Sequence, residues 1–187
     1  MNNWNISKSF SFCFGHRVWR QRLNSELSCN SSCKCRHQHG HEGTVIISLK
    51  SSVLDDKGMV IDFVELSWFK KWLDEVLDHK MILDINDPAL PIFYPLLNGL
   101  QKSDFSAFNG LIRFPEKYHI INPEMYKDYS EYEQEIYEGL VLVDFIPTSE
   151  NLSKWLFDIV QKKLEGYATV SSVEFQETPK SKSVYSR

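Results

Sequence analysis

Ser9-Phe10-Ser11-Phe12-Cys13-Phe14 alternates large apolar side chains with small or polar ones, the period-two pattern of a strand with one buried face. Thr44-Val45-Ile46-Ile47-Ser48-Leu49-Lys50 is rich in β-branched residues and reads as a second strand. An Asn- and Ser-rich loop over about 21–32 joins the two, and sequential strands usually neighbour each other, so they are expected to pair antiparallel. Gly58-Met59-Val60-Ile61 reads as a short extended piece. Asp62, with Glu65 three residues on, has the spacing of a helix capping box. Phe69, Trp72, Leu73, Val76 and Leu77 then recur at helical spacing, so this helix should end near Leu77.

A second helix starts at Pro147-Thr148-Ser149-Glu150, with Thr148 as its cap. Leu152, Trp155, Leu156, Ile159, Val160 and Leu164 form its apolar stripe, and Gly166 stops it. Strands are expected over 170–175 and 183–185. The order strand–strand–helix–helix–strand–strand predicts one α+β domain, with helices on one face of an antiparallel sheet. Between the helices, residues 82–146 carry five of the seven prolines and read as a long insertion within a single domain spanning 1–187. Met125, Tyr129, Tyr132 and Ile136 suggest a further acidic helix closed by Gly139 there, followed by a strand or a buried extended run over 140–145.

The 187 residues are 42% hydrophobic and 25% charged, which suits one folded domain and excludes global disorder. No apolar run approaches the ~18–20 residues of a membrane span. Met1-Asn2-Asn3-Trp4-Asn5 lacks the basic start and apolar stretch of a secretory signal, so a cytoplasmic, reducing compartment is expected. A net charge of −4 argues against a nucleic-acid binder. That charge is uneven. Residues 1–50 hold Lys8, Arg17, Arg20, Arg22, Lys34, Arg36 and Lys50 against Glu26 and Glu42, together with all four cysteines and four of the six histidines.

Within that segment, Cys33-Lys-Cys35-Arg-His37-Gln-His39-Gly-His41 places five metal-ligating side chains at odd positions, which an extended chain would project to one face. Two imidazoles one residue apart can converge on one ion, and His16, at the far end of the first strand, is the best third ligand. Three histidines leave the fourth zinc position open, the catalytic pattern. An exposed turn, or a structural knuckle built from Cys29, Cys33, Cys35 and a histidine, remains open on spacing alone.

Phe12-Cys-Phe14-Gly-His16-Arg-Val, Cys35-Arg-His-Gln-His39-Gly-His41, Gly58-Met-Val-Ile-Asp62-Phe63, Leu77-Asp78-His79, Pro147-Thr-Ser-Glu150-Asn151-Leu and Glu177-Thr178 occur in that order. The series resembles the 6-pyruvoyltetrahydropterin synthase / 6-carboxytetrahydropterin synthase family over nearly the whole chain, except the middle segment and the extreme C-terminus. The resemblance implies a tunnelling fold (T-fold) with a ββααββ frame, whose subunits join sheets into a barrel as a hexamer of two trimers. It implies a substrate, 7,8-dihydroneopterin triphosphate, bound at a subunit junction. It further implies that His16, His39 and His41 hold Zn2+, that Cys35 is the general base, and that Asp78 and His79 complete a proton-transfer set. Glu177 would anchor the pterin, with Thr148 and Ser149 beside it.

Each implied role has a plainer counterpart. Asp78 and His79 could simply end a helix, where a histidine suits the negative dipole end. Capping alone explains Thr148 and Ser149. Arg17, Arg20 and Arg22 are candidates for the triphosphate. Two departures stand out. The 82–146 stretch is longer than in compact members of the family. Cys35 satisfies the Cys-x3-His-Gly-His spacing of carboxytetrahydropterin synthases, whereas Cys33 satisfies the longer spacing of pyruvoyltetrahydropterin synthases. The shorter spacing favours Cys35, and with it a lyase releasing 6-carboxytetrahydropterin, acetaldehyde and triphosphate on the route to 7-deazaguanine compounds such as queuosine. The alternatives are a pyruvoyl-forming synthase and an inactive pterin-binding or assembly module.

Overall fold

The computed structural model describes residues 3–29, 32–98 and 110–187. Residues 30–31 of the expected loop and 99–109 of the expected insertion lie outside the described residues. In chain order the elements are β1 (Trp4–His16), β2 (His39–Ser51), α1 (Ser67–Val76), β3 (Lys80–Asp84), α2 (Leu90–Phe93) and β4 (Leu111–Arg113). They continue with β5 (Tyr118–Ile121), α3 (Glu131–Glu138), β6 (Leu140–Val143), α4 (Ser149–Lys163), β7 (Thr169–Thr178) and β8 (Ser181–Ser186). Neighbouring strands hydrogen-bond in the order β4-β5-β6-β3-β1-β2-β7-β8. The chain clusters into two compact units, one of residues up to Phe14, His41–Asp78 and Thr148–Arg187, the other of Gly15–Gly40 and His79–Pro147.

In the first unit, period-two patterning settles which side chains go inside. Phe10, Phe12 and Phe14 are buried along β1, and Val45, Ile47 and Leu49 along β2. β2 pairs antiparallel with β7, setting Val45 opposite Phe175 and Ile47 opposite Val173, and β7 pairs antiparallel with β8. α1 lays Phe69 edge-on against Phe10 at 5.2 Å, and α4 meets α1 through Trp155 and Trp72 at 5.8 Å. Burying each such side chain contributes about 1.5–3 kcal/mol. Gly43 is required by close approach: a Cβ there would sit 2.8 Å from the Phe14 ring. Thr148 caps α4 by accepting the Asn151 N–H at 3.3 Å, and Gly166 follows that helix at φ +82°, a conformation glycine adopts freely. Asp62 caps a 3-10 turn over Phe63–Leu66 that leads into α1, whose last cap is Leu77. Residues 58–61 do not form the expected extended piece. Asp55 instead closes a turn by accepting the Met59 N–H, with Gly58 at φ +79°.

The second unit is built differently. β3 and β6 pair parallel, so the sheet is mixed rather than the antiparallel one expected from the sequence. The physical reason is burial: β6 is buried along its whole length and β3 over its last three residues, as a parallel pair requires. β5 joins β6 antiparallel and β4 joins β5. Tyr94, Tyr126 and Tyr137 share the core of this unit with Leu83, Leu97 and Leu142. α3 carries the capping box of Ser130 and Glu133 and ends at Gly139; Met125 belongs to a separate 3-10 turn before it. Asp84 and Asp87 are each only 3% exposed, and buried carboxylates require partners. The Trp19 indole donates to Asp84 at 2.8 Å, and the Arg17 guanidinium lies 3.4 Å from Asp87. Residues 17–19 are thereby fixed, and with them residue 35, whose carbonyl accepts the Val18 N–H at 2.9 Å. No helix among the described residues is long and apolar enough to cross a membrane.

Candidate functional site

Strands β1 and β2 bring His16, His39 and His41 together, with one ligand nitrogen from each lying within 4.8 Å of the others. His16 ends β1 and is 1% exposed; His39 and His41 open β2 and, two apart, share a face. The Nδ1 of His16 lies 2.7 Å from the Pro147 carbonyl, and the Nδ1 of His39 lies 2.8 Å from the His37 carbonyl. A carbonyl can only accept, so each Nδ1 donates, and the two rings turn Nε2 toward each other. Those two Nε2 atoms are 3.1 Å apart. Two Nε2 atoms at that distance either share a proton or ligate one cation. Two nitrogens on one tetrahedral zinc ion stand about 3.3 Å apart, so the spacing fits such an ion, and carbonyl support of Nδ1 is the usual outer shell of a metal-bound histidine. The Phe14 ring, 5.6 Å from that of His41, forms an apolar wall.

A second group, Cys13, Asp78 and His79, also offers three ligand atoms within 4.8 Å. The Leu77 and Asp78 N–H groups both donate to the Leu73 carbonyl, closing α1. His79 follows at φ 57°, in the left-handed region that suits glycine and costs an L residue about 1–2 kcal/mol. The pair directly follows the end of α1, as the helix-end reading expects. Asp78 Oδ1 accepts the Cys13 N–H at 2.7 Å, which orients the carboxylate. Sequence reading missed Cys13, whose only signal was an outward position on a strand.

The cysteine segment departs from expectation. Lys34–Arg36 forms a 3-10 turn between Cys33 and His37, so the extended run that was to align all five ligands is broken at Cys35, and only His39 and His41 share one strand. Cys33 lines a cavity of about 520 Å³ with Arg17, Arg22, Arg36 and His37, and among the described residues no acidic side chain lines it. Arg17 is committed to Asp87, and Arg20 stacks over the Trp19 ring at 4.4 Å. Arg36, which the sequence did not single out for this role, joins Arg22 as a cavity cation. Cys35 is partly buried within the 3-10 turn and belongs to neither three-ligand group.

Thr148 and Ser149 open α4, with Thr148 acting as cap and the Ser149 carbonyl accepting the Ser183 hydroxyl at 2.6 Å. Glu177 lies partly buried near the end of β7, beside Thr178, which pairs with Ser181.

A family profile described as 6-pyruvoyl tetrahydropterin synthase matches residues 5–187. A 6-carboxy-5,6,7,8-tetrahydropterin synthase of Aquifex aeolicus is 31% identical over 97% of each chain. Another of that name, from Rickettsia conorii, is 42% identical over 45% of this chain and 54% of its own. Among solved structures, an uncharacterized protein from Wolinella succinogenes matches with a TM-score of 0.93 and 41% identity, covering 100% of this chain and 99% of that one. A 6-pyruvoyl tetrahydropterin synthase of Caenorhabditis elegans matches at a TM-score of 0.55 and 17% identity, covering 100% and 97%, a likeness of fold alone.

Proposed function

The chain belongs to the 6-pyruvoyl tetrahydropterin synthase family, and from that premise we propose that it is a 6-carboxy-5,6,7,8-tetrahydropterin synthase. In this reading it converts 7,8-dihydroneopterin triphosphate to 6-carboxytetrahydropterin, acetaldehyde and triphosphate. The observation that carries the reading is the Aquifex aeolicus relative of that name, aligned over 97% of both chains. The short Cys35-x3-His39-Gly-His41 spacing agrees with it.

His16, His39 and His41 are the residues that would hold a zinc ion, which when bound supplies Lewis-acid polarisation of substrate oxygens. Cys35 is the general base, accepting a side-chain proton at its sulfur in the vicinity of Arg36. His79 relays a proton at its imidazole, and Asp78 orients that ring and stabilises its charged form. Glu177 accepts paired hydrogen bonds from the amino-pyrimidinone edge of the pterin, with Thr148 and Ser149 alongside. Arg22, Arg36 and His37 give the triphosphate a cavity lined by cations in a protein of net charge −4.

Successive side chains of a strand project to opposite faces, so Cys13, with the Asp78 carboxylate bound to its N–H, lies on the face of β1 opposite His16. That disposition supports a reaction site shared between subunits, with the hexamer joined through sheet edges such as β4 and β8. Residues 82–146 are an insertion into the family frame in this reading, and the enzyme is cytoplasmic.

Mass spectrometry of products formed by zinc-loaded protein from 7,8-dihydroneopterin triphosphate tests the proposal. The expected product is 6-carboxytetrahydropterin; a 6-pyruvoyl product without acetaldehyde would establish the other synthase activity instead.

A further inference from the structure

We propose that Cys13, Asp78 and His79 form a second site for a thiophilic divalent cation, separate from the three histidines, at which an excess of metal arrests turnover. The two groups share no residue, and alternation along β1 sends Cys13 and His16 to opposite faces of that strand. A thiolate, a carboxylate and an imidazole together select Zn2+ or Cd2+ over Mg2+ or Ca2+, which prefer all-oxygen shells. One ligand atom from each side chain already lies within 4.8 Å of the others. Two further features hold the set in place. The Cys13 N–H fixes the Asp78 carboxylate at 2.7 Å, and the left-handed backbone of His79 is imposed by the end of α1.

The chemistry of occupation is simple. The cation replaces the thiol proton of Cys13, which passes to solvent, and takes up the Asp78 oxygen and the His79 nitrogen. With those two groups ligated, neither can carry a proton. This arrest rests on the role proposed above for Asp78 and His79, whereas the binding itself does not.

Titration of the zinc-loaded protein with Cd2+, read by thiolate-to-metal charge-transfer absorbance and by calorimetry, tests the binding. The wild type should take up a further equivalent with a thiolate band. Cys13→Ser should lose both, Asp78→Asn should weaken the uptake about tenfold or more, and joint replacement of Cys29, Cys33 and Cys35 by serine should leave it in place. A band that survives Cys13→Ser, or disappears only with the other three cysteines, overturns the site. Turnover is then compared at one equivalent of Zn2+ and in excess. Excess should inhibit the wild type and spare Cys13→Ser; equal inhibition of both overturns the arrest. If the wild type makes no product at one equivalent, the proposed activity is wrong, and the Cd2+ titration still decides the site.

Discussion

The two three-ligand groups of this protein are built from similar donors and prepared for different work. In the histidine group, backbone carbonyls of residues 37 and 147 accept from Nδ1 of His39 and His16, leaving the two Nε2 atoms facing each other at 3.1 Å. That arrangement is one that could hold a cation. In the Cys13 group, a carboxylate bound to a backbone N–H sits next in the chain to a histidine in a strained conformation. An oriented acid beside an imidazole suits the proton-transfer role proposed for this pair, and the thiol completes the three-ligand set proposed for a second cation. What distinguishes the groups is therefore which atoms the surrounding backbone already occupies, more than which residue types are present.

The largest expected effect falls on the second group. If Asp78 and His79 act as the proposed proton-transfer pair, Asp78→Asn should lower turnover about 10²–10⁴-fold while the metal remains. Steady-state kinetics with metal analysis checks this; undiminished turnover would leave the pair with only its helix-ending role. Metal removal acts on the first group. A resident ion at a concentration 100 to 1,000 times its dissociation constant stabilises the fold by about 2.7–4.1 kcal/mol, so chelation should lower the unfolding midpoint in proportion. An unmoved midpoint would mean that the facing imidazoles hold no ion. The smallest effect is the most discriminating. His79→Gly relieves the left-handed strain and should stabilise the chain by up to about 1 kcal/mol in urea denaturation while abolishing turnover. A loss of stability on that substitution would show that the imidazole serves the fold.

Much of the first unit was legible in the sequence because its elements are long enough to show a period. The Phe10–Phe12–Phe14 alternation, the α1 stripe ending at Leu77 and the Thr148 cap all stand where periodicity and capping put them. The second unit was not legible in the same way. β4 spans three residues and β5 four, too short for any pattern, and β3 is buried where an exposed face would have produced alternation, whereas the apolar run of β6 and the Gly139 stop before it could be read. Its buried Asp84 and Asp87 read as ordinary surface acids until Trp19 and Arg17 are seen against them.

At the site, local spacing exposed His39 and His41 and strand register reached His16. The supporting carbonyls left no trace, since any residue supplies one. The parity argument failed at residues 34–36 because a 3-10 turn interrupts the extended chain, and Cys13 passed as an outward-facing strand residue.

The most direct test measures metal content and acetaldehyde release on the same samples of wild type, His39→Ala and Asp78→Asn. The wild type should retain zinc and release acetaldehyde with 6-carboxytetrahydropterin. His39→Ala should lose both metal and product, and Asp78→Asn should lose product while keeping the metal. Zinc retained in full by His39→Ala, or acetaldehyde released undiminished by Asp78→Asn, would contradict the division of labour between the two groups.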